Sequence, residues 1–193
     1  GAVDGAQDLT ITAGSGAVNL SAIGAGTPVG AFDLDSTGTT TVNGNISAGS
    51  IAMDGATDVD LATGAITLST SAANGAIDLT GGAVDGAQDL TITAGSGAVT
   101  LDGMGQGVKL SSLNVSSSGL LNANDAISTN AGVITLVSSD DVNLAAAADL
   151  SSGNGNVSVT ADSDDSTAGS DGALTMADGA SINSGSGTIT LLA

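Results

Sequence analysis

Four aspartates, Asp162, Asp164, Asp165 and Asp171, crowd into the stretch 161–171, where the other positions are Ala, Ser, Thr and Gly. Such a loop offers the oxygen ligands that Ca2+ takes about six to eight at a time. The spacing is not that of an EF-hand, and the tandem glycine-rich nonapeptides of calcium-binding β-rolls do not occur. These four are therefore the candidate metal ligands on carboxylate density alone. Ca2+ is the one cofactor they suggest, and none is required. The doublet Asp140-Asp141 has the residue types for acid and base work on a glycosidic bond. Adjacent strand residues point to opposite faces, however, and the chain has no His and a single basic residue, Lys109, to grip an anionic sugar. The doublet reads as a turn leading into Val142-Asn-Leu144. Serine is plentiful but has no base beside it to make it a nucleophile, and Lys109 reads as a solvated strand residue. Gly24-Ala-Gly26-Thr-Pro-Val-Gly30 and Gly103-Met-Gly105-Gln-Gly107 resemble phosphate loops only in glycine content. Neither precedes a helix, so both are turns. Thr10-Ile-Thr12, Thr39-Thr-Thr41, Thr91-Ile-Thr93 and Thr188-Ile-Thr190 raise the idea of an ice-binding face, but they look scattered, and strand propensity accounts for them. No catalytic residue is assigned, and the chain does not read as an enzyme.

The elements that carry these residues follow from composition. All 20 acidic residues are Asp, the net charge is -19, and Phe32 is the only aromatic residue. A conventional core built on aromatic side chains is excluded, yet 41% of the residues are hydrophobic, mostly Ala, Val, Ile and Leu. That suits a thin interior filled with small branched side chains. Asp, Asn, Ser and 30 Gly favour turns, while Val, Ile and Thr favour strands. The charge disfavours nucleic acid and anionic membrane surfaces as partners. No apolar run approaches the ~20 residues that span a bilayer, and the absence of cysteine excludes a disulfide framework.

Gly1–Val18 recurs without change as Gly82–Val99, an offset of 81 residues. Looser echoes follow, and a third unit begins at Asp171. Within each unit the recurring element is a pair of apolar residues separated by one polar residue, as in Leu9-Thr-Ile11, Val18-Asn-Leu20 and Ile66-Thr-Leu68. That is the period of a half-buried strand. Anchors at Ile134, Val142, Leu150 and Val157, then Leu174, Ile182 and Ile189, are seven or eight residues apart except for the step across the acidic stretch. Three such strands make a coil of roughly 20 to 24 residues, the length of one winding of a triangular solenoid.

The fold expected is all-β, a right-handed single-stranded parallel β-helix or β-solenoid with a superrepeat of about 81 residues, or about four coils. The whole chain would make eight or nine coils, a rod of roughly 40 Å. Residues 1–81 and 82–170 are the first two superrepeats, the second carrying an acidic side loop at 161–171. Residues 171–193 begin a third within one continuous solenoid. An antiparallel β-sandwich is the alternative, but it needs larger inward residues and leaves the repeat unexplained. Both ends read as cuts through a longer chain.

Val84-Asp-Gly-Ala-Gln-Asp-Leu-Thr-Ile-Thr-Ala-Gly-Ser-Gly97, followed by Ala-Val-Thr-Leu101, resembles the repeats of very large filamentous haemagglutinin-like bacterial exoproteins. The phrase recurs at Val3 to Leu20, and looser forms cover nearly the whole chain. The resemblance implies a parallel β-helix, secretion to a bacterial cell surface or extracellular fibre, and a role as a rigid rod in adhesion, biofilm or filament assembly. Expected partners are further copies or neighbouring repeats stacked end to end, and a host or cell-surface glycan or protein. A calcium-binding adhesin or surface-layer-like module is the alternative, and a polysaccharide-active β-helix enzyme a more distant one.

Overall fold

The computed structural model describes residues 3–164 and 172–193. It is all-β with parallel strands in stacked coils, a β-solenoid of about seven turns. Three walls, here A, B and C, are visited in rotation. Wall A runs through Ile66–Ser69, Asp89–Thr93, Ser112–Ser117, Ile134–Ser138, Val157–Thr160 and Ile189–Leu192. Wall B stacks Leu9 on Phe32 and Ile51, and then Ile77 on Val99, Leu121, Val142 and Leu174. The strand Ile46–Ala56 turns the corner between these two walls, pairing Ile46 with Leu68 on A and Ile51 with Ile77 on B. Wall C consists of a four-stranded and a three-stranded sheet, bridged by Met104 between Val84 and Ile127.

Alternation explains the packing. Inward residues such as Ile77, Val99, Leu121 and Val142 are fully buried in one column, each against its counterpart one coil away. Each such burial is worth about 1.5–3 kcal/mol relative to exposure. Phe32 lies in this interior with 0% exposure. At the first and last windings the same inward positions lie open: Val3 is 46% exposed and Leu191 44%.

The anchors read from sequence at Ile134, Val142, Leu150, Val157, Leu174, Ile182 and Ile189 all fall in strands. Eight positions from Leu9 to Leu174 stack on wall B, with seven full windings between the first and the last, against the eight or nine coils expected. Val142 pairs with Leu174 and Val157 with Ile189, both 32 residues apart, whereas Val99 and Leu121 are 22 apart. The winding that contains residues 161–173 is thus longer than its neighbours. The superrepeat is also not four coils. Leu9 stands on wall B, but its repeat Leu90 pairs with Ile66 and Leu113 on wall A. Val18 stands on wall C, but Val99 is on wall B. The 81-residue offset falls one wall short of four windings, so one sequence forms the same strand on different walls.

Corners repeat a local device that period-two reading missed. Thr129, Ser152 and Ser184 are buried at one corner on successive windings, and each hydroxyl donates to a glycine carbonyl three residues on: Gly132 at 2.7 Å, Gly155 at 2.5 Å and Gly187 at 2.7 Å. The glycines stack so closely that a Cβ on Gly155 would land on the Gly132 carbonyl, and one on Gly187 on that of Gly155. Asparagines tie coils at the corners too: Thr67 N–H donates to Asn45 Oδ1 at 2.9 Å, and Thr188 N–H to Asn156 Oδ1 at 2.9 Å.

Candidate functional site

Of the four metal candidates, Asp162 and Asp164 lie on the described chain just past Thr160, while Asp165 and Asp171 lie outside the described residues. Asp162 has a left-handed backbone, φ 50°, and its Oδ1 is buried with no hydrogen-bond partner among the described residues. Among those residues no three carboxylates converge on a point that a metal could occupy.

The remaining acidic side chains fall into two groups. Some are ties between coils. Asp4 Oδ1 accepts from Gly26 N–H at 2.7 Å, and its repeat Asp85 accepts from Gly107 N–H at 3.0 Å. The two glycine-rich segments are thus turns tied to the coil before, Gly26 and Gly107 by these carboxylates and the Gly24 and Gly105 N–H groups by the carbonyls of Val3 and Val84. Asp8 likewise accepts from Ala31 N–H at 2.8 Å, and its repeat Asp89 from the Ser112 hydroxyl at 2.7 Å. Asp141 of the acidic doublet accepts from Ala173 N–H at 2.7 Å, and Asp140 N–H donates to Ser138 Oγ at 2.9 Å. The doublet closes a turn between two strands, and its carboxylates are not paired across a cleft.

Other aspartates stack. Asp60 lies opposite Asp85 on the next coil of wall C. Partial burial raises the Asp60 pKa above the ordinary carboxylate value, and the charges of Asp58 and Asp85 raise it further. Asp102 is raised in the same way, first by burial and then by Asp125 and Asp78. Lys109 is exposed, between the bridge residues Met104 and Leu110 rather than inside a strand. A cleft of about 380 Å3 is lined by Ile23, Gly24, Asn45, Ser47, Thr67 and Ser69 among others, and no ionisable side chain reaches it.

The four Thr pairs do scatter: Thr10 pairs with Asp33 on wall B, Thr41 with Asp60 on wall C, and Thr91 and Thr190 lie on wall A. What the sequence concealed is that single Thr and Ser residues of the intervening strands complete two columns on wall A. One column is Thr67, Thr91, Asn114, Thr135, Ser158 and Thr190. The other is Ser69, Thr93, Ser116, Val137, Thr160 and Leu192. The signal lay in strand register, which single strands do not carry. Compared with family models, curated proteins and solved structures, the chain matches none.

Proposed function

We propose that the chain is a shaft segment of a secreted bacterial surface or extracellular fibre protein, acting as a rigid rod in adhesion, biofilm or filament assembly. The observation that supports this most is the parallel stacking of coils over an aliphatic interior, a geometry that transmits force along one axis and extends by adding windings. The rotation of the repeat from wall to wall fits the same reading, because a repeat that exists to lengthen a rod need not present each copy in one direction. The apolar positions open at the first and last windings, such as Val3 and Leu191, are where a neighbouring repeat or a second copy continues the stack. The resemblance to filamentous haemagglutinin-like repeats adds the cell-surface setting. Electron microscopy of the purified chain tests the proposal. Narrow rods joining end to end as concentration rises are expected, while compact particles, or hydrolysis of a glycan by the chain, would contradict it.

A second reading, Ca2+ held at the acidic stretch, draws on the Asp162 carboxylate oxygen that has no partner among the described residues. It predicts a melting temperature that rises with Ca2+ by more than an equal ionic strength of NaCl achieves, and a return on chelation. An unchanged melting temperature would count against it.

A further inference from the structure

We propose that wall A, from Ile66 to Leu192, is an ice-binding face whose ligand is the ordered water of a crystal surface. The proposal does not rest on the shaft reading, since a rod that fails to bind ice remains a rod. Like wall B from Ile77 onward, and unlike that wall's first strands with irregularities between Thr12 and Gly14 and between Asp33 and Asp35, the six strands of this wall pair in parallel without a register shift. Its side chains therefore stand in straight rows at the strand spacing, about 4.8 Å along the axis. Beneath them, Leu90, Ile92, Leu113, Val115, Ile134 and Leu136 are fully buried and hold the sheet on a packed floor.

Of the twelve outward positions in the two columns, nine carry a hydroxyl and none carries a charge. In a chain of net charge -19, these two columns are free of carboxylates, and the one aspartate within the wall's strands, Asp89, stands in the flanking column and is held by the Ser112 hydroxyl at 2.7 Å. The other walls place Asp33 and Asp78, and Asp60 and Asp85, at comparable outward positions. A carboxylate orients its own hydration shell and disrupts a neutral water lattice. A Thr offers a hydroxyl and a methyl whose placement is fixed by the stiff β-branched χ1, so a row of them can hold waters at a constant pitch. Among the described residues only Ser69 of these twelve makes a side-chain hydrogen bond, to Ser71 at 3.0 Å. The other hydroxyls of the two columns have no side-chain partner among the described residues and face outward, where water can bond them.

Other occupants fit less well. The two columns cover roughly 24 Å by 7 Å, well short of the ~800 Å2 per partner of a stable protein interface. The only aromatic side chain, Phe32, is buried, which leaves no platform on which a sugar could stack.

The test is partition of the purified full chain into a slowly growing polycrystalline ice front, with crystal shaping read on the same sample. Thr91→Tyr and Thr135→Tyr place a bulky ring in the middle of the wall, and Asn122→Tyr places it on wall B. Melting curves establish that each variant is folded. Wild type and N122Y should enter the ice and facet the crystals, while T91Y and T135Y lose both effects. Exclusion of the folded wild-type chain from ice would overturn the proposal, as would equal loss in N122Y. A concentration-dependent dimer abolished by T135Y, without ice partition, would assign the wall to a second copy instead.

Discussion

At the residue scale, the stacked carboxylates set how the fold responds to pH. Asp60 and Asp102 hold their protons more tightly in the folded chain than in the unfolded one, because burial and neighbouring carboxylates disfavour the charged form. Their contribution is therefore present in full below the unfolded carboxylate pKa and is lost as the pH rises through the higher folded value. Thermal unfolding followed from neutral pH into the carboxylate range should show a rising melting temperature. Asp60→Asn should flatten that rise and lift the neutral-pH value slightly, and a melting temperature that falls on mild acidification would contradict this. Packing at the corners gives a second residue-scale prediction. Gly155→Ala pushes a methyl group onto the Gly132 carbonyl, and the overpacking should cost about 1–3 kcal/mol, read as a lower urea midpoint. Alanine at Gly64, where a Cβ meets nothing within 4 Å but φ is +61°, pays only the local backbone strain and should cost less.

At the element scale, each strand is short and owes its stability to the coils above and below. Leu113 is fully buried between Leu90 and Ile134, so Leu113→Ala should lower stability by about 2–5 kcal/mol. The same truncation at Leu191, 44% exposed on the last winding, should cost far less. Denaturation of the two variants side by side measures the difference. Strands of this kind were legible in the sequence, because alternation such as Ile134-Thr-Leu136 needs no knowledge of neighbours, and the steps between anchors gave the coil length. Register was not legible. It depends on the summed lengths of every corner before a given strand, and those vary, so the Thr and Ser residues of wall A could not be placed in columns. The buried corner hydroxyls were missed for another reason: Thr129-Asn-Ala-Gly132 and Ser152-Gly-Asn-Gly155 read as surface turns until stacking puts them inside. The glycine-rich segments at Gly24 and Gly103 were read as turns on spacing alone, and the carboxylates that hold them, Asp4 and Asp85, became visible only across a coil.

At the scale of the whole molecule, a rod with net charge -19 stacks like charges at the strand spacing. Each such pair repels by about 1 kcal/mol or less in water. Salt should therefore raise the melting temperature through screening, with the largest gain below physiological ionic strength. A melting temperature indifferent to salt would mean that the carboxylates are too well solvated to interact. The winding itself has a more direct test. Thr67 and Thr190 are far apart in sequence but belong to one column of wall A, five strand spacings apart. The chain has no native cysteine, so spin labels at Thr67→Cys and Thr190→Cys attach nowhere else. Pulsed electron-electron resonance should give a single narrow distance near about 24 Å, broadened only by the label linkers. A broad distribution, or a separation incompatible with five stacked strands, would contradict the solenoid on which the shaft and the ice-binding wall both depend.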